Sequence, residues 1–467
     1  MTRWIYGLSK MIVLASALQL IVVMASRPVA QATIQPGLFL MLTPFASGFG
    51  GEEQGSPLDV IPLPGDPERR MAVATFRGLV RLLDHAGRFL DTVASPFLHT
   101  HTLWEPDLFG LTGIAFHPDY LKPGARGFGK FYAIVSDASG AHVDFPGVGG
   151  DGFGVHDEIL REYTADDPTS NTPTFTSRDV MRFHQPTGFH NITDLAFDSQ
   201  GLLYIAAGES QNSSAAQSKE DFLGTMFRVD PLDPSAFTDA ELLAMGRIRS
   251  FNGNYANPMS NPGIGAPAVL NEVYAYGLRS PFRLSTDRGA ADGTGRDDVY
   301  VADVGADLRE EVNKMVNNGN YGWDLREGTL GMQPAGGSID PILEMDISTA
   351  LNPHGLILGL VTIVGGFVYR GNLLPELPGK YVFGEMGRAI SASQQGNEPR
   401  LFYGDLDTGE VFQLFFEPEG ENFDGKVLLS IGEGEDGELY AVLGGDPAGF
   451  TGGNTDGVVL RLDPPLQ

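Results

Sequence analysis

The sequence predicts an all-β fold and, within that class, a six-bladed β-propeller. Three observations predict it. The 467-residue chain carries 61 Gly and 31 Pro, which helix interiors avoid and tight turns require. A short strand pattern recurs along it, and a second, alternating pattern follows the first in six copies between residues 78 and 463. Repeated antiparallel units joined by Gly-rich turns hide their strand edges by closing radially.

The first pattern is a Gly or Asp turn leading into an apolar strand that holds Tyr or Phe, with small residues after it. Gly201-Leu202-Leu203-Tyr204-Ile205-Ala206 is the clearest copy, and others lie at 129–133, 298–302, 379–383 and 437–441. The second pattern alternates apolar and polar residues, as a half-buried strand does. It occupies 78–82, 159–163, 225–230, 311–315, 410–414 and 458–463. The spacing is uneven, so long loops are expected at 139–155, 231–265 and 328–360. No low-complexity linker divides the chain, which predicts one catalytic domain over residues 33–467. A pair of β-sandwiches is the alternative architecture.

Residues 1–32 are expected to be a signal peptide. Arg3 and Lys10 precede the apolar run Met11 to Ala25, and Ala30-Gln31-Ala32 offers a small-x-small cleavage site. The run is short for a bilayer span, although an uncleaved anchor is the alternative. The mature protein is then expected to be periplasmic or secreted, with no membrane association after cleavage. A net charge of -28 repels phosphate backbones and argues against a nucleic-acid partner. The chain has no cysteine, which removes disulfides, thiolate chemistry and Cys-type zinc sites.

Three stretches stand out beyond the repeat. In the first, 188–197, His190 stands at the entry to an apolar strand, where it can face a central cavity and take a proton near neutral pH. A structural histidine is the alternative. The second runs from Glu272 through Arg279, Asp303 and Glu311 to Trp323, and its acidic side chains with Gly-loosened carbonyls are the oxygen ligands calcium prefers. Its spacing does not match an EF-hand. In the third, Arg370 and Arg388 lie beside strand ends in a chain with only 31 Lys plus Arg, which points to anion binding or to ordinary surface arginines.

Taken together, these stretches resemble the soluble, quinone-dependent glucose and sorbosone dehydrogenase family from about Gly110 to Asp463. The resemblance rests on 110–120 (GLTGIAFHPDY), Tyr276-Gly277-Leu278-Arg279 and Gly319-Asn320-Tyr321-Gly322-Trp323. It implies a six-bladed propeller that uses pyrroloquinoline quinone (PQQ) and calcium to oxidise an aldose or related sugar, passing electrons to an external acceptor. It implies His190 as general base, and Arg279, Arg370 and Arg388 as cofactor contacts converging on one face around the channel. It also implies calcium at the carbonyls of Gly305 and Ala306, and a second calcium at Glu311 and Tyr321. His117, though inside a signature, is expected to be structural. The sequence departs from the family at Leu108, Phe189, Ile192, Thr193 and Ser280. Two further readings follow: a non-catalytic propeller that binds a glycan or protein, and a calcium-dependent lactonase.

Overall fold

The computed structural model describes residues 34–50, 54–100, 102, 110–140, 142–150, 152–290, 292–347, 362–387, 399–417, 423, 426–445 and 456–465. The leader expected at 1–32, together with Leu108 and Arg388, lies outside these residues. The all-β expectation is borne out. Among the described residues there is one short α-helix, Asp239–Ala244, and one 3-10 turn, Ser213–Gln217. No helix there is long and apolar enough to cross a membrane.

The strands form a propeller-like set of antiparallel sheets. Four separate sheets begin with Pro57–Pro62, Leu111–Phe116, Ile192–Phe197 and Pro281–Thr286. An eight-stranded sheet carries Ile363–Val368 at one edge and Val427–Glu433 at the other. Each of these six first strands packs against the next, and the last packs against the first. Ile34–Phe49 joins the two halves of the large sheet. Its first part runs parallel to Val411–Phe416, and its second part antiparallel to Gly457–Asp463.

Packing follows from this arrangement. The apolar core divides into clusters, most lying between neighbouring sheets and one between the two halves of the eight-stranded sheet. Tyr132, Leu160 and Val180, for example, meet Leu195, Leu203 and Phe227 of the next sheet. A strand sandwiched in this way is buried on both faces, as all of Leu203–Ala207 is. Each large side chain so enclosed contributes about 1.5–3 kcal/mol. Local turn chemistry sets the strand ends. Before Leu203, Asp198 Oδ1 accepts the N–H groups of Gln200 and Leu202, and Gly201 takes φ +75°, a conformation that favours glycine.

The two sequence patterns correspond mostly to the second and third strands of each sheet. One copy differs: 410–414 belongs to a fourth strand, Val411–Phe416, and the third strand there is Arg400–Gly404. The loop expected at 231–265 is partly folded, holding the α-helix and the hairpin Arg247–Arg249/Ala256–Pro258.

The centre of the ring is filled. Arg283, 5% exposed, stands on Pro281–Thr286 and donates hydrogen bonds to the carbonyls of Leu58, Thr112, Thr193 and Leu429. One guanidinium thus ties together four other inner strands. Asp59 and Asp194 lie beside it; burial pushes both carboxyls up, Asp194 to about 7, against the pull of Arg283.

Candidate functional site

His190 precedes the inner strand Ile192–Phe197, and Arg279 precedes Pro281–Thr286. Both therefore sit at the N-terminal end of the ring. His190 Nδ1 lies 2.5 Å from Glu209 Oε1; the imidazole is 21% exposed and Glu209 only 3%. Glu209 is placed by strand pairing. Ile192 faces Ala207 across the sheet, so the residues just before one strand meet those just after the other. The backbone locks this contact further. Glu209 N donates to Arg279 O at 2.9 Å, and Ser210 N donates to His190 O at 3.3 Å. A Cβ on Gly208 would come within 2.3 Å of His190 O, so only glycine fits there. His190 itself holds φ +53°, a conformation L residues adopt at a cost.

With Nδ1–H donated to Glu209, Nε2 keeps its lone pair and is the atom available to accept a proton. The second oxygen of Glu209, Oε2, is buried without a hydrogen-bond partner. Two exposed rings, Phe153 and Phe189, stack at 6.0 Å beside the histidine, and Gly188 N donates to Phe153 O.

Arg279 is held by its main chain. Asp303 accepts the N–H groups of Arg279 at 2.9 Å and Ser280 at 2.7 Å. Its guanidinium donates to Val304 O at 3.0 Å and lies 5.4 Å from the Trp323 ring centroid. Burial pushes Asp303 up to about 6, partly offset by those two N–H groups and by the nearby Arg279 and His190. Asp303 thus lies within electrostatic reach of both Arg279 and His190.

Beside Arg279 lies a hollow of about 10 Å³ lined by Asp303, Gly305, Glu311, Tyr321 and Glu327. That is room for about one water-sized occupant. Gly305, expected at one calcium, thus shares this small space with Glu311 and Tyr321, expected at a second, and Ala306 is adjacent to Gly305 in the chain; two separate sites are not seen among the described residues. Glu311 is buried there, 7% exposed; burial pushes it up to about 8, helped by the neighbouring Asp303 charge. Such an acid is ionised by a cation placed beside it. No three His, Asp or Glu side chains among the described residues gather to hold a metal. A calcium ion here would therefore draw on carbonyls as well as on Glu311. Tyr321 contributes no hydroxyl, since its Oη donates to Lys314 O and accepts from Val316 N. Glu327 Oε1 accepts the successive N–H groups of Ala306, Asp307, Leu308 and Arg309, which shapes the 305–309 turn.

Arg370 does not join this group, and the expected convergence is corrected on that point. It follows Ile363–Val368, whereas His190 and Arg279 precede their strands. The C-terminal ends of the inner strands line a separate cavity at the opposite end of the ring. Arg370 pairs there with both oxygens of Asp287, at 2.8 and 2.6 Å. The departures at Ile192 and Thr193 have structural roles: Ile192 is fully buried, and Thr193 Oγ1 donates to Pro281 O. His117 is structural as expected; it is 3% exposed, accepts from Asp119 N, and burial pushes it down to about 4.

For an anionic quinone the fit is partial. Arg279 offers guanidinium N–H groups beyond the one on Val304, and His190 stands beside it. Arg370 faces the wrong end.

Comparison with known proteins gives this geometry a context. Residues 238–398 match the family described as Glucose / Sorbosone dehydrogenase, so the resemblance in the sequence is borne out. The HIPL1 protein of Arabidopsis thaliana is 28% identical over 71% of this chain and 51% of its own length. The human Hedgehog-interacting protein is 25% identical over 80% of this chain and 47% of its own. The chain thus spans about half the length of these curated relatives. The PQQ-bound aldose sugar dehydrogenase from Streptomyces coelicolor superposes with a TM-score of 0.57 at 18% identity, covering 92% of this chain and 99% of that one. At that identity the likeness concerns the fold.

Proposed function

From a chain that carries a glucose/sorbosone dehydrogenase domain, we propose an exported, PQQ- and calcium-dependent oxidoreductase that oxidises an aldose or related sugar. The reading includes a leader over residues 1–32 and one catalytic domain of six blades, the eight-stranded sheet counting as two. The closed ring of inner strands supports that count.

The observation that carries the reading is the His190–Glu209 pair at 2.5 Å, standing at the same end of the ring as Arg279. His190 Nε2 takes the proton of a substrate hydroxyl. Glu209 fixes the tautomer and balances the positive charge that forms. Arg279 holds an anionic or carbonyl oxygen of the cofactor by charge-assisted hydrogen bonds. PQQ, when bound, would supply the hydride acceptor, and calcium held at the carbonyls of Gly305 and Ala306 would supply Lewis acidity. An external acceptor then takes the electrons.

The test is titration of the purified chain with PQQ and calcium, followed by a sugar panel with an artificial electron acceptor. Dye reduction that needs both PQQ and sugar supports the reading. Absence of PQQ binding overturns it and leaves a second reading, a protein-binding propeller. That one is favoured by Phe153 and Phe189, 58% and 38% exposed beside the site, and by the relative named for an interaction with Hedgehog. The lactonase reading finds less support, because the channel carboxylates Asp59 and Asp194 face Arg283.

A further inference from the structure

Four large apolar side chains stand exposed together near Arg279. The short strands Arg326–Glu327 and Leu330–Gly331 pair antiparallel, with Glu327 opposite Leu330, and Met332 N donates to Leu325 O at 2.8 Å just beyond them. Opposed residues share a face of such a pair, as do alternate residues along each strand. Leu325, Leu330 and Met332 therefore lie on one face with Glu327. All three are exposed, Met332 to 70%. Glu327 Oε1 accepts the N–H groups of residues 306–309, so the exposed Leu308 stands beside the same face.

An exposed apolar group of this kind marks a contact surface, and its charged rim says what fits. The two arginines next to it are spent: Arg309 pairs with Asp346, and Arg326 with Asp340 at 2.8 Å. Asp307 and Asp324 are exposed and form no ion pair among the described residues. The rim therefore offers negative charge, in a chain whose net charge is -28. A partner that fits brings an apolar patch inside a basic border. The face also adjoins the cofactor end. Glu327 and Trp323 line the hollow beside Arg279, and Trp323 leads directly into Asp324 and Leu325.

We propose that this face docks a small, basic, one-electron carrier protein, which takes the electrons that sugar oxidation leaves on the cofactor. The inference rests on the dehydrogenase reading above and names its external acceptor by class. Two carrier molecules take one electron each, and water takes the two protons, as the hydroquinone is returned to quinone. Contacts between electron-transfer proteins are small, below about 1,200 Å² in total, so four apolar side chains with two carboxylates at their edge are enough. The opposite charges speed encounter, and the small apolar centre lets the reduced carrier leave.

The test is titration of the full chain with a basic cytochrome c at an ionic strength of about 20 mM, where charges are little screened, with an acidic cytochrome of similar size as control. Saturable binding of the basic protein is expected, weakened about tenfold in the double variant Leu325→Ser, Met332→Ser. That variant keeps the net charge, so its loss reports the apolar face rather than general attraction. A melting curve checks its fold. Amide hydrogen exchange on the wild-type chain is the second measurement: residues 306–309 and 325–332 should slow when the basic cytochrome is added. Equal affinity in the folded variant, unchanged exchange at those residues, or equal binding of the acidic cytochrome overturns the proposal. Dye reduction separates this inference from the reading it rests on. A chain that reduces dye with PQQ and sugar but binds no cytochrome overturns the docking face and leaves the sugar reading standing. A chain that reduces no dye, yet loses cytochrome binding in the variant, supports the docking face and removes the sugar reading.

Discussion

Arg279 and Arg370 stand beside strand ends on opposite sides of one ring, and they do different work. Arg370 gives two hydrogen bonds to Asp287, whose side chain is 1% exposed, and its charge is neutralised on the spot. Arg279 rests on one carbonyl and an aromatic ring, with its main chain fixed on Asp303. The first arrangement closes a fold and the second presents a cation. A basic residue at a strand end becomes a binding group only where no acid of its own structure reaches it first.

The strongest way to break this contrast is at the presenting end. His190→Ala is expected to lower turnover in the dye-linked assay about a hundred to ten thousand fold, the usual worth of a positioned base. Wild-type turnover in that variant removes His190 from the mechanism. At the centre of the ring, Arg283→Met strips four carbonyls of their donor and leaves Asp59 and Asp194 without a counter-charge. A loss of about 3–5 kcal/mol is expected by denaturant unfolding. A loss below about 1 kcal/mol means that water replaces the guanidinium.

A pH series sharpens the comparison from the other end. Glu433 sits at about 7 when folded, raised by burial from its ordinary 4.5. A raised folded value favours the folded state below the unfolded value, and that benefit is lost as pH climbs through about 7. The unfolding free energy, read by denaturant titration, is therefore expected to fall between about pH 5 and 8 by an amount on the order of 1–3 kcal/mol. Glu433→Gln should flatten the trend, and an unchanged slope assigns it to other groups. The smallest effects separate the two arginines. Arg279→Ala should weaken PQQ binding about tenfold, partly rescued by excess PQQ. Arg370→Ala should leave PQQ binding alone and cost about 1–2 kcal/mol in stability, because Asp287 loses its partner.

The sequence showed the middle of each sheet more clearly than its inner edge. Second and third strands, such as Leu203–Ala207 and Thr225–Val229, carry Gly turns and apolar–polar alternation. Inner strands such as Pro281–Thr286 hold buried polar groups, Arg283 among them, because they face a crowded channel; no simple period reports that. His190 and Arg279 were legible from motifs. Glu209 was missed, although pairing of the strand after His190 with the strand before Gly208 points to it. Arg370 was misplaced because a motif gives chain position, whereas the end of the ring depends on whether a residue precedes or follows its inner strand.

The strand Ile34–Phe49 also sets a schedule. Its partners are residues 411–416 and 457–463, far downstream in the sequence. Synthesis runs from the N-terminus, so this strand waits unpaired while the intervening sheets are produced. Contacts this distant in sequence form slowly, and an unpaired strand is a template for other chains. Phe39, 48% exposed even when packed against Phe415, makes the waiting strand more adhesive. A chain that stops short of residue 457 loses more than a terminal strand: the two halves of its largest sheet have no complete bridge, and a ring that is not joined leaves open edges on both sides of the gap.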